Sequence, residues 1–282
     1  VKKQFILASL GVVVVAILFL FGKTGTKNNT GELNNPSAIV KLFSIQENIA
    51  AAKKGLSPTQ VIYLSKLENA ISPNNAINQR IKAYTQLAAF WKDSVKSFEP
   101  YLHYIAEVSK LENSEKNLTF AAQLILDNLR SEQDEAKIGW ETEQAVALFE
   151  KAILLNPNNE DLKIGLGSAY IFGKGRLGSP EETMKGVQQI LSVVRKDSTN
   201  MKAQLVLGIG GFISKQYDKA VYRLQKVVAA EPHNIEAIAF LADSYAAIGN
   251  KREAIKYYEI SKRLYNNPTY TKEVDERIKQ LK

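Results

Sequence analysis

Cysteine is absent from this chain of 282 residues, and histidine, methionine and tryptophan occur only twice each. Without cysteine there is no disulfide framework, no thiol nucleophile, no cysteine metal site and no lipoprotein anchor. The two histidines, His103 and His233, lie far apart in sequence. That excludes a histidine-rich metal site and any chemistry that needs two histidines on one segment. His103, in "PYLHYIAE", reads as a packing residue among aromatics, and His233 as a turn residue. Convincing strand-type alternation is also missing. From Ser37 onward apolar residues recur at helical spacing instead. The net charge of +8 is unevenly placed, with a near-neutral middle and two basic ends. Residues 1–73 carry 8 Lys/Arg against 3 Asp/Glu, residues 74–200 carry 15 against 17, and residues 201–282 carry 14 against 9. In the last section basic and acidic residues alternate, as on a solvated helix face, so no nucleic-acid partner is expected.

One long hydrophobic run is present. Phe5 to Gly22 is apolar but for Ser9, and its 18 residues would reach about 27 Å as a helix, close to the thickness of a bilayer core. Lys2 and Lys3 precede it, and "LFLFGKTG" offers no good cleavage site. Residues 1–22 are therefore expected to be an uncleaved signal-anchor, N-terminus in the cytoplasm. Residues 23–37, rich in Gly, Asn and Thr, follow as a flexible tether.

The rest repeats. Residues 201–232 align with 235–266 at an offset of 34: Leu207 with Leu241, Gly208 with Ala242, Gly211 with Tyr245, Ala220 with Ala254, Leu224 with Tyr258 and Val227 with Ser261. An earlier copy has Leu166, Gly167 and Tyr170, then Gly186, Ile190 and Val193 after seven extra residues. A further second helix holds Ala145, Phe149, Ala152 and Pro157, with 114–129 as its first helix and an acidic insert containing Trp140 between them. Residues 75–93 and 96–113 form a degenerate pair, preceded by helices at about 37–52 and 57–71. Small residues let helices approach closely and large ones fill the gaps between them. No such unit buries its apolar face alone, so neighbours must stack.

These small and large positions resemble the tetratricopeptide repeat (TPR) pattern W-x2-L-G-x2-Y…A-x3-F…P, with Pro232 in the closing position. The resemblance implies an all-α superhelical solenoid of helix-turn-helix units behind an N-terminal transmembrane helix. The expected organisation is 1–22 anchor, 23–37 tether, 38–142 degenerate repeats, 143–266 TPR array and 267–282 capping helix. In architecture the chain is similar to bacterial single-span proteins that hold TPR domains in the periplasm, including the TPR parts of cytochrome c biogenesis factors. That resemblance implies an inner-membrane location with the array in the periplasm.

One motif points elsewhere. "IFGKGRLGSPEE" contains G-x-G-x-x-G at Gly173, Gly175 and Gly178. A dinucleotide fingerprint needs a preceding strand, whereas here a helix precedes. Ser179, Pro180 and Glu182 then read as a capping box. The acidic first turn would repel phosphate, although Lys174 and Arg176 leave an anion contact open. An extended inter-helix loop is the expectation.

No catalytic constellation, cofactor site or small-molecule substrate site is expected. The family resemblance instead implies a ligand face on the first helix of each repeat. It assigns Ile164, Ser168 and Phe172, then Lys202, Leu205, Ile209 and Phe212, then Glu236 and Asp243 to a concave peptide groove, with Asp161, Ile171, Ile213, Ala239, Ala246 and Ala247 in the remaining slots. The Lys/Asn carboxylate clamp of chaperone-binding TPR domains is absent. The apolar slots suggest an apolar or helical peptide. The expected role is a non-enzymatic scaffold with a protein partner. The alternative is a chaperone-like assembly factor for secreted or c-type cytochrome clients. A groove filled by the chain's own helices is the competing structural reading.

Overall fold

A computed structural model describes residues 42–282; the expected anchor and tether lie outside the described residues. No described helix is long and apolar enough to cross a membrane. The described part is helical throughout. The order is α1 Ile45–Lys53, α2 Pro58–Ala70, α3 Ile77–Ala89, α4 Phe98–Glu112, α5 Glu115–Leu129, α6 Glu135–Leu155 and α7 Glu160–Tyr170. It continues with α8 Pro180–Val194, α9 Met201–Ile213, α10 Tyr217–Ala230, α11 Ile235–Ala247, α12 Lys251–Tyr265 and α13 Pro268–Leu281. Two π-turns, Phe90–Val95 and Ile171–Gly175, extend α3 and α7.

Side-chain caps start most of these helices. Asn159, Asn200, Asn234, Asn250 and Asn267 each accept from a backbone N–H in the first turn of the helix they precede. Ser44, Ser57, Ser114, Ser179 and Asp134 do the same elsewhere. Each such cap satisfies an orphan donor and contributes about 1 kcal/mol. At α8 only half of the expected capping box forms. Ser179 Oγ accepts from Glu182 N–H, while the Glu182 carboxylate turns to Lys185 at 3.0 Å.

Helix pairs pack in the predicted small-against-large register. Gly167 faces Ile190 and the backbone of Gly186, and Gly208 faces Leu224 so closely that a Cβ would lie 2.7 Å from its Cγ. Two buried clusters result, one running from Leu64 to Ile209 and the other from Ala220 to Ile278, and both are packed by Leu205 and Phe240. The last helix, α13, buries Val274 and Ile278 and exposes its charged face, as a cap should.

Two expectations change. The acidic insert is not a loop: α6 begins at Glu135, so Trp140 and the expected boundary at 142/143 fall inside one helix of 21 residues. Among the described residues the first helix begins at Ile45, and residues 42–44 before it are not helical.

Candidate functional site

The first helices α7, α9 and α11 supply the expected ligand face, and the structure divides the predicted residues into three groups. Ile164, Ser168, Phe172 and Ile209 are buried, at 1, 4, 6 and 0% exposure, and offer almost no surface to a ligand. Ser168 Oγ donates back to the Ile164 carbonyl at 2.8 Å. Ile171 is buried as well. These slots face the core because the neighbouring first helices pack on them.

Charged slots form the second group, and each has a partner from the chain itself. Lys202 pairs with Asp161 at 2.7 Å, and both are largely exposed. Glu236 pairs with Arg130, at the end of α5, although 106 residues separate them. The Arg130 guanidinium also sits over the Phe172 ring, 4.3 Å from its centroid. Asp243 accepts from the Tyr258 hydroxyl and from Arg277 of the capping helix at 2.6 Å. Burial, with Asp243 beside it, pushes the Tyr258 hydroxyl above its ordinary range, while Asp243 raises the already high pKa of Arg277.

Leu205 and Phe212 form the third group. Both are half-buried. Phe212 meets Phe240 edge-on with ring centroids 5.6 Å apart, and lies 5.6 Å from Tyr217. Phe240 and Arg130 were not among the predicted residues. Phe240 falls outside the family's ligand slots, and nothing local in the sequence signals that Arg130 reaches α11. The accessible remainder of the face is thus a small aromatic and aliphatic patch, Leu205, Phe212 and Phe240. The Arg130–Glu236 pair is a further contact among first-helix slots.

The glycine-rich segment is structural in its details. Gly173 lies against Thr142 of α6, where a Cβ would approach Oγ1 to 2.0 Å, and its ψ of −121° is non-helical. Arg176 donates to the carbonyls of Leu129, Arg130 and Glu132 at 3.3, 3.3 and 2.7 Å. Lys174 pairs with Glu143 at 2.8 Å. Both cations that could have held an anion are therefore engaged by the preceding repeat. His103 is half-buried, its ring 5.0 Å from that of Tyr104, and burial lowers its pKa. His233 is exposed. Among the described residues no three His, Cys, Asp or Glu side chains are grouped to hold a metal ion.

Residues 212–270, from the end of α9 into α13, match the tetratricopeptide repeat family model. The fold is a TPR-like solenoid. TTC0263, a thermophilic TPR protein of Thermus thermophilus, superposes with a TM-score of 0.50 at 16% identity, covering 73% of this chain and 98% of that one. YrrB, described as a TPR protein with an unusual peptide-binding site, gives 0.44 at 16% identity over 72% and 98% of the two chains. MamA residues 41 to the end, from Desulfovibrio magneticus RS-1, give 0.44 at 19% identity over 68% and 96%. No curated protein sequence matches the chain. At these identities the likeness to TTC0263 speaks for the fold alone. TPR proteins are in general non-enzymatic modules that bind protein or peptide partners.

Proposed function

We propose that this chain is a non-enzymatic scaffold of the bacterial cell envelope that binds a peptide or helix of a protein partner on the first helices of its array. The half-exposed patch of Leu205, Phe212 and Phe240 carries the reading. It is apolar and aromatic, the composition that recognises an apolar helix face. Phe212 and Phe240 also lie within the stretch matched to the TPR model. Residues 1–22 would hold the array at the inner membrane, N-terminus inside, with the repeats in the periplasm. The apolar run Phe5–Gly22 supports that part.

The test is crosslinked co-purification of the full-length protein from its native membrane, beside a Phe212→Ser variant whose helicity is checked. One stoichiometric partner lost in the folded variant is the expected result. Many clients held non-stoichiometrically would favour an assembly chaperone for secreted or c-type cytochrome proteins. A partner unaffected by the variant would move the contact off this patch. Alkaline extraction tests the anchor separately: the protein should stay in the membrane pellet.

A further inference from the structure

The tyrosine of the L-G-x2-Y slot fills the seam between its own helix and the second helices on either side. Tyr170 reaches back to Glu150 of α6, 3.5 Å away, and Glu150 lies five residues after the small residue Ala145. Tyr245 repeats the arrangement. Its hydroxyl receives a hydrogen bond at 2.5 Å from Gln225 of α10, five residues after Ala220, and its ring stacks on Tyr257 at 5.7 Å and 10°. The repeat between them lacks all three parts. Gly211 stands in the tyrosine slot. Leu191, five residues after Gly186, stands where Glu150 and Gln225 do. Arg223 stands in the slot of Tyr257.

These three exchanges meet in one place and leave a cleft of about 430 Å³, within the range of ligand pockets. One stripe of α8 (Thr183, Met184, Val187, Leu191), the back of α9 (Leu207, Gly211) and one stripe of α10 line it. Met184 remains 53% exposed there. The cations on the α10 stripe are held by neutral groups. Lys219 donates to the Gln216 amide oxygen at 2.7 Å. Arg223 donates to that of Gln204 at 2.8 Å, and Gln204 is itself anchored on the Ser198 carbonyl. The nearby acids are elsewhere: Glu181 and Glu182 are bound by Lys185, and Asp218 does not line the cleft. An apolar floor where neighbouring repeats hold a ring, with uncompensated positive charge at its rim, matches an aromatic side chain flanked by carboxylates.

We propose that this cleft is a second docking site, which takes an aromatic side chain from an acidic segment of a partner protein. It uses none of the first-helix groove residues, so it stands or falls apart from the groove.

The sequence supplies a reporter. Of the two methionines, Met184 lines the cleft and Met201 does not. Full-length protein labelled with methyl-[13C]methionine in detergent micelles would be titrated with N-acetyl-Glu-Tyr-Glu-amide. The Met184 methyl signal should shift saturably while that of Met201 stays in place. The Glu-Ala-Glu and Lys-Tyr-Lys peptides should bind at least about tenfold more weakly, as for loss of the ring or of a charge-assisted contact. Gly211→Tyr combined with Leu191→Gln rebuilds the filled seam and should abolish the shift. A Cβ at 211 would lie 3.3 Å from the Ala220 nitrogen, so the melting temperature of that variant is measured too. Arg223→Gln avoids this packing change and should weaken binding about tenfold. Phe212→Ser should leave it unchanged. A Met184 signal that ignores Glu-Tyr-Glu, or that responds equally to the alanine or lysine peptide or in Arg223→Gln, would overturn the proposal.

Discussion

Two kinds of connection in this array solve the same problem in different ways. Between α9 and α10, and between α11 and α12, the chain reverses in three residues through one left-handed residue, Lys215 (φ 60°) in the first case and Gly249 (φ 77°) in the second. Between α7 and α8 it takes a π-turn and seven extra residues. The short turns touch little beyond their own helices. The long one lies on the preceding repeat, with Gly173 against Thr142 and Arg176 on the 129–132 carbonyls. It lies where α6 starts a turn or more earlier than the other second helices. In α8, α10 and α12 the position four residues before the small residue is at the helix start, as Glu182, Gln216 and Asn250. In α6 the same position is Glu141, inside the helix and fully buried. An insertion and a helix extension have thus become one buttress between repeats, and a motif that looks like a phosphate loop is a packing device.

Substitutions at the buttress should separate the two solutions. Gly173→Val places a Cβ about on top of Thr142 and should cost more than about 3 kcal/mol, lowering the melting temperature or preventing folding. Gly249→Ala meets open space at a positive φ and should cost only about 1 kcal/mol, measured by the same denaturation.

Glu141 gives the comparison a pH signature. Burial pushes its carboxyl up to about 7, against a hydrogen bond from Asn128 that favours the anion; Glu132 and Glu99 add to the rise and Lys137 opposes it. Its Oε2 has no hydrogen-bond partner. Its folded pKa lies above the unfolded value, so the folded state holds the extra proton between about 4.5 and 7. Over that window stability falls as pH rises. Glu141→Gln should remove this slope and gain roughly 2 kcal/mol relative to the parent at pH 8. Urea denaturation across pH 5 to 8 reads it, and an unchanged slope would place the pH dependence elsewhere.

Two further substitutions act on the cations of the same segment. Arg176→Ala removes three hydrogen bonds from a partly buried cation and should cost about 1–2 kcal/mol. Lys174→Gln breaks only the exposed pair with Glu143 and should change stability by less than about 0.5 kcal/mol, still less in high salt.

Much of the fold was legible because it rests on short-range rules. The pairing of Gly208 with Leu224, the Ser179 cap and the apolar stripe of α13 each depend on residues within one helix pair. The helix expected before the glycine motif, in place of a strand, is α7. The start of α6 was missed because polar residues from Glu135 to Glu143 look like a loop until a neighbouring repeat covers Ile138, Glu141 and Thr142. The exposure of the expected ligand slots was legible only in part. Helix position assigns Ile164, Phe172 and Ile209 to that side of the helix, but adjacent first helices bury them. Lys202, Glu236 and Asp243 look free in sequence and find partners from elsewhere in the chain.

By itself the sequence determined the helical class, the 34-residue period, the small-to-large packing register and the lack of a thiol or histidine-pair chemistry. Those properties follow from spacing within about one repeat and from residue type alone. Tertiary structure decided which slots stay open: a patch at Leu205, Phe212 and Phe240, and a cleft where Gly211, Leu191 and Arg223 meet. Openness depends on how neighbouring helices cover a side chain and on contacts such as Arg130 with Glu236, across 106 residues, where no local pattern reaches.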